Sequence, residues 1–219
     1  MSLSEEKAEV RGRVKALLTE ARAGETGNAG ERSLRAADNF RALPEYAEAG
    51  IVLAFLPMGE EIGTESLIGT ALADGKVVAV PRMERSEKAG DYIVFIPLPP
   101  DYGSWPRDRF GIPEPPAGLR GLPAEELHSG SVIVAAPGLA FDRGGGRLGR
   151  GKGYYDRFLS EARAGAARLG GSIVACGLCY AIQLLDSVPM GEDDARVDLV
   201  VTEDGVCRRG AIGAQEIGG

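Results

Sequence analysis

Pro-Gly-Leu-Ala-Phe-Asp-Arg-Gly-Gly-Gly-Arg-Leu-Gly-Arg-Gly-Lys-Gly-Tyr-Tyr-Asp-Arg-Phe-Leu, residues 137–159, is the stretch from which the rest of the chain is read. Before it, residues 132–136 are apolar and mostly β-branched, the pattern of a buried strand. After it, Tyr155, Phe158, Leu159, Ala162 and Ala166 recur at helical spacing and mark one face of a helix. The glycines thus fall between a strand and a helix start, where free N–H groups and the helix dipole favour an anion. Gly144, Gly145, Gly146, Gly149, Gly151 and Gly153 allow close approach and positive φ. Arg143, Arg147, Arg150, Lys152 and Arg157 outnumber Asp142 and Asp156 here, although the whole chain has a net charge of −7. The basicity is local, and phosphate is the expected ligand.

Two nucleotide-binding patterns overlap this loop, each incompletely. Gly144-x-Gly146-x-x-Gly149 has the dinucleotide spacing, but the next expected strand, 172–179, ends in Tyr180-Ala181 without the acid that should hold a ribose. Gly146-x-x-x-x-Gly151-Lys152 approaches a P-loop, but Gly153 stands where a hydroxyl would bind Mg²⁺. A flexible basic surface loop would share the composition. The strand–loop–helix context favours a phosphate site.

The run Arg147-Leu148-Gly149-Arg150-Gly151-Lys152-Gly153-Tyr154-Tyr155-Asp156, preceded by Pro137-Gly138-Leu139-Ala140-Phe141-Asp142, resembles the signature of the 5-formyltetrahydrofolate cyclo-ligase (5,10-methenyltetrahydrofolate synthetase) family. The resemblance implies an ATP site over Arg147, Leu148, Gly149, Arg150, Gly151, Lys152, Gly153, Tyr154 and Tyr155. It also implies that Arg150, Gly151, Lys152, Gly153 and Tyr154 contact the folate, with Arg150, Lys152 and Tyr154 in catalytic roles.

Length and composition set bounds. A chain of 219 residues, 44% hydrophobic and 26% charged, suits one soluble domain spanning 1–219. No apolar run reaches a membrane span, and the amino terminus reads as a charged helix and not as a signal peptide. Three cysteines form no disulfide framework and suit a reducing cytoplasm. Cys176 and Cys179 would point to opposite faces of a strand. His128 is the sole histidine, which leaves His-based triads and zinc clusters little to work with; a surface or capping role is expected for it. A small-molecule substrate is expected, with no nucleic-acid or membrane partner and a monomeric state.

Ser2 and Glu5 have the spacing of a capping box for a first helix, whose apolar stripe is Val10, Val14, Leu17, Leu18 and Ala21. Lys7 and Arg11 share one face of it. Lys7-Ala8-Glu9-Val10-Arg11 resembles the family's amino-terminal ATP-binding Lys-x-x-Leu-Arg. A glycine-rich break at 24–30 precedes a second helix at 33–42. Residues 51–56 read as a buried strand stopped by Pro57, and the following loop lies where open α/β sheets bind ligands. Leu56 and Glu61 match the family's substrate-contacting pair, and a carboxylate accepts two N–H groups from a pterin-type ring. Thr64 is placed to cap a helix at 65–72. Strands are expected at 76–80, ended by Pro81, and at 92–96.

Eight of the thirteen prolines lie in 97–123, which predicts an extended loop. Within it, 111–115 resembles the family's Gly-Ile-Pro-Glu-Pro, and Phe110 occupies the place of a substrate-flanking aromatic. Strands at 173–178 and 197–201 follow, then a poorly ordered tail from Val206. Gln183 to Pro189 resembles a family turn, and Asp194-Ala195-Arg196-Val197-Asp198 resembles the family's Asp-x-x-Val-Asp. The resemblance pairs Asp156 with Asp194 at Mg²⁺.

Alternating strands and helices argue for an α/β fold with a largely parallel sheet. The resemblance implies a three-layer α/β/α sandwich related to sugar-phosphate isomerase and coenzyme A transferase folds. It also implies the reaction: ATP- and Mg²⁺-dependent conversion of 5-formyltetrahydrofolate to 5,10-methenyltetrahydrofolate, releasing ADP and phosphate. The formyl oxygen attacks the γ-phosphate, N10 closes the ring, and phosphate leaves. A related enzyme with another substrate, or a folate- or nucleotide-binding protein without turnover, remains an alternative.

Overall fold

Short β-branched runs alternate with amphipathic helices along the chain, and the computed structural model turns that alternation into layers. It describes residues 1–24, 28–86, 90–99, 101–107, 111 and 113–210. In chain order the elements are α1 (Leu3–Gly24), α2 (Asn28–Arg41), α3 (Pro44–Glu48), β1 (Ile51–Leu53), α4 (Glu65–Ala73), β2 (Val77–Ser86), β3 (Gly90–Pro97), α5 (Ala124–Ser129) and β4 (Ser131–Ala136). Then come β5 (Ala140–Asp142), β6 (Arg147–Leu148), α6 (Tyr154–Leu169), β7 (Ser172–Leu178), β8 (Leu184–Leu185), β9 (Leu199–Thr202) and β10 (Gly205–Arg208).

The main sheet runs β10-β9-β7-β4-β1-β2-β3, with the five inner strands parallel and both edge strands antiparallel. Residues alternate between its faces. Val52, Val78, Ile133, Cys176 and Leu199 pack under α1–α4, while Leu53, Ala79, Val134, Ala175 and Val200 pack under α5 and α6. This is the expected α/β/α sandwich. Cys176 and Cys179 lie in the cores on opposite faces, as the strand period requires. No helix among the described residues is long and apolar enough to cross a membrane.

Several boundaries differ from expectation. The strand expected over 51–56 ends at Leu53. Thr64 stands at the N-cap of α4 but makes no side-chain cap bond; its buried hydroxyl donates to Phe55 O (2.6 Å) and fastens the loop after β1. β2 runs through Pro81 to Ser86. β1 leaves it after Ala79, and by alternation Pro81 turns its nitrogen toward the side β1 has vacated, since Val78 O accepts from Leu98 N–H and Ala79 O from Ala54 N–H. The result is a long β2–β3 arm.

The proline-rich stretch lies along this arm. Leu122 N–H donates to Phe95 O (2.7 Å), and Arg82 donates to Pro116 O (2.6 Å) and Leu119 O (2.9 Å), so an exposed edge strand is covered. The tail also departs from expectation, because Val206 and Cys207 pair with Val201 and Val200 as β10. The capping box forms as expected: Ser2 N–H donates to Glu5 Oε2 (2.7 Å) and Glu5 N–H to Ser2 Oγ (3.3 Å). His128 stands half-buried in the last turn of α5, and its ring packs against Gly165 of α6.

Candidate active site

β1 sits between β2 and β4, so the chain leaves it in opposite directions on its two sides. Such a switch point opens a crevice at the carboxyl ends of the strands. There the structure has a cavity of about 810 Å³. Its walls come from α1, the loops after β1 and β4, the β2–β3 arm, residues 113–115 of the proline-rich stretch, β6, the loop 149–153, the start of α6 and the segment before β9. Lys7, Arg11, Leu56, Glu61, Arg147, Leu148, Gly149, Arg150, Gly151, Lys152, Gly153, Tyr154, Tyr155, Asp156 and Asp194 all line it. Phe110 lies outside the described residues.

The glycine-rich stretch is not one loop. Residues 140–148 form the β5–β6 hairpin, and β8 joins it in a small second sheet. Gly144–Gly146 make the turn and do not line the cavity. Asp142 closes this turn: Oδ1 accepts from Gly144 and Gly146 N–H (both 2.8 Å), and Oδ2 accepts from Val188 N–H (2.9 Å). Gly145 has φ +80°, and a Cβ there would lie 2.2 Å from Val197 O. The anion-cradling role expected of these three glycines is therefore replaced by a structural one. Both overlaid nucleotide patterns fail for the same reason, since Gly146 starts a paired segment and not a phosphate loop. An Asp before a glycine run is a turn signal, and that reading would have found the hairpin. The basic residues divide accordingly: Arg143 turns toward Cys207 Sγ (3.3 Å), and Arg157 donates to Asp91 O (3.0 Å).

What remains is the loop 149–153, delivered by β6 to the amino end of α6. Gly153 is the N-cap of that helix at φ 67° and has no side chain to cover the free N–H groups. Arg11 Nε donates to Gly149 O (2.9 Å) and ties α1 to this loop.

Three acids neutralise cations across the cavity. Arg147, 5% exposed, donates from Nη2 to Asp156 Oδ1 (2.5 Å), and Ala195 N–H donates to the same oxygen (3.1 Å). Lys7 pairs with Asp194, whose Oδ2 also accepts from Gly191 N–H (2.5 Å). Burial opposes ionisation of Asp194, but the Gly191 and Lys7 hydrogen bonds outweigh it and hold the carboxyl below its usual range. Arg150 pairs with Glu61 (2.9 Å). Lys152 is exposed and has no acidic partner among the described residues. Among the described residues Arg147 Nε and the Tyr155 hydroxyl are buried without a partner, and polar atoms left so in a cavity wall suit a polar ligand. Burial, and then the Glu61 charge, push the Tyr155 pKa up, so the hydroxyl stays protonated as a donor. Tyr154 faces the arm, with its hydroxyl on Asp91 (3.3 Å) and the Arg157 guanidinium over its ring.

The opposite wall is less polar: Phe55, Leu56, Met58, Met83, Ile93, Pro113 and Pro115. Met83 and Ile93 are cross-strand neighbours on the arm, and no local signal in the sequence assigns them to the cavity. Among the described residues no three His, Cys, Asp or Glu side chains gather as a metal site. Asp156 and Asp194 each keep one oxygen without a protein donor among those residues. That donor set fits Mg²⁺ carried in by phosphate, because the ion takes one or two carboxylates and completes its shell with phosphate and water.

Residues 3–203 match the 5-formyltetrahydrofolate cyclo-ligase family. The chain is 29% identical over 199 residues to the Mus musculus 5-formyltetrahydrofolate cyclo-ligase, covering 90% of this chain and 92% of that protein. It is 37% identical over 156 residues to the Mycolicibacterium smegmatis 5-formyltetrahydrofolate cyclo-ligase, covering 69% and 72%. The NMR structure of Aquifex aeolicus 5,10-methenyltetrahydrofolate synthetase matches 96% of both chains with a TM-score of 0.67 and 29% identity.

Proposed function

Since the chain belongs to the 5-formyltetrahydrofolate cyclo-ligase family and is a ligase of that family, we propose that it converts 5-formyltetrahydrofolate to 5,10-methenyltetrahydrofolate using ATP and Mg²⁺, with release of ADP and phosphate. The observation that supports this reading is a single cavity with cations on one wall and apolar residues with a fixed carboxylate on the other. When bound, ATP supplies the phosphoryl group that turns the formyl oxygen into a leaving group.

In this reading Lys7, Arg11, Arg147 and the 149–153 loop hold the phosphates, and Lys152 with Arg150 stabilises charge as it moves. Tyr155 donates its protonated hydroxyl. Leu56 and Met58 face the flat ring, Glu61 accepts its N–H groups, and Tyr154 positions the formyl end. Asp156 and Asp194 hold Mg²⁺. The protein acts in the cytoplasm as a monomer.

The test is to mix purified protein, MgATP and 5-formyltetrahydrofolate and to follow the near-ultraviolet band of the methenyl product together with ADP. Both should rise only when all components are present. No product, with both ligands shown to bind by calorimetry, would overturn the reading.

The metal assignment has its own test. Asp156→Asn and Asp194→Asn should each raise the Mg²⁺ concentration for half-maximal rate by roughly tenfold or more, since even second-shell losses cost that much metal affinity. Asp198→Asn should stay close to wild type, because Asp198 does not line the cavity and its Oδ2 is held by Arg163 (2.6 Å) and Ala175 N–H (2.8 Å). An Asp194→Asn titration that matches wild type rejects Asp194 as a ligand.

A further inference from the structure

Arg150 lays its guanidinium on Glu61. Nε and Nη2 both donate to Oε1 (3.1 and 2.9 Å), and Nη2 also donates to Met58 O (3.2 Å). Glu61 Oε2 accepts from Met58 N–H (2.9 Å). The Glu61 side chain is 11% exposed and that of Arg150 43%, so the carboxylate is fixed and the guanidinium has room to leave.

A carboxylate oxygen accepts about two hydrogen bonds, so Oε1 is full while Arg150 holds it. A flat ligand edge with two parallel N–H groups needs the same oxygen in the same plane. Only one fork of N–H groups can hold Glu61 at a time.

Resting on the reading of this cavity as a joint folate and ATP site, we infer that Arg150 exchanges partners and thereby couples the two ligands. The folate ring takes its place on Glu61, and the released guanidinium turns to the phosphates. Arg150 stems from the same loop as Lys152, so a turn of its side chain carries the charge from one region to the other. Without folate this cation is neutralised by Glu61 and nucleotide binding is weakened. By linkage, nucleotide strengthens folate binding by the same factor.

Calorimetry with Mg²⁺ and adenylyl imidodiphosphate, whose terminal phosphoryl group does not transfer, reads this without turnover. Wild type should bind the analogue on the order of tenfold more tightly when 5-formyltetrahydrofolate is saturating. Glu61→Gln should bind the analogue more tightly than wild type when folate is absent, because a neutral amide releases Arg150. Loss of a negative charge alone could also tighten binding, so the same substitution is made in an Arg150→Ala background. There it should change the analogue's affinity little. Two results overturn the exchange and leave the functional reading standing: equal analogue affinity with and without folate in a wild type that binds both, or an equal Glu61→Gln effect in both backgrounds. A wild type that fails to bind either ligand overturns the functional reading, and the exchange with it.

Discussion

Lys152→Ala is expected to lower kcat by about 10²–10³, or ~3–4 kcal/mol of transition-state stabilisation, with the fold unchanged. The lysine is exposed in the 149–153 loop, beside the N-cap of α6, and lines the cavity. Lys7, Arg147 and Arg150 are each paired with an acid, whereas Lys152 has no acidic partner among the described residues. Among the described residues only its backbone carbonyl is used, as an acceptor for Arg157 (3.3 Å). Truncation therefore breaks no ion pair among the described residues and, in the proposed reaction, removes one positive charge where phosphoryl charge would develop. Steady-state kinetics beside a thermal melt separates the two effects. A variant with near-wild-type kcat would show that this cation is not engaged at the transition state.

Asp142→Ala is expected to cost about 2–6 kcal/mol of folding stability, the largest structural effect predicted for a residue outside the cavity lining. Its carboxylate accepts three backbone N–H groups. Gly144 is exposed, and water can replace the lost bond there. Gly146 and Val188 are buried, and each orphaned donor costs about 1–3 kcal/mol. Asp142→Asn should fall between alanine and wild type, because its remaining oxygen can serve the two glycines while its amide meets Val188 N–H as a second donor. Urea unfolding measures both variants. An alanine variant within about 0.5 kcal/mol of wild type, the range of ordinary surface substitutions, would show that this network carries little of the stability.

The contrast between Lys152 and Asp142 shows where the sequence is legible. Lys152 stands out because its signals are local: a glycine on either side, a strand before and a helix after. Asp142 carries a local signal only for its turn, through Gly144 and Gly146, whereas its third partner, Val188, is 46 residues away and nothing local points to it. The same division holds for the fold. The runs at 132–136 and 173–178 read correctly as strands, because burial on both faces demands unbroken apolar sequence. Pro81 misled because whether a missing N–H matters depends on which neighbour lies beside it, and β1 has already departed there. The tail at 206–208 misled because its pairing partner β9, not its composition, orders it.

By itself the sequence determined the alternating α/β class, the inner strands, the helix that starts after Gly153 and a set of basic and glycine residues that the structure brings to one cavity. Each of these follows from periodicity or from backbone chemistry within a few residues. Tertiary structure alone decided that the triple-glycine turn faces away from the cavity and that the β2–β3 arm supplies part of its wall. It also decided that Lys7 meets Asp194 across 187 residues and Arg150 meets Glu61 across 89. Charge pairing depends on distances that strand order sets, and strand order is fixed only when both faces of the sheet are packed.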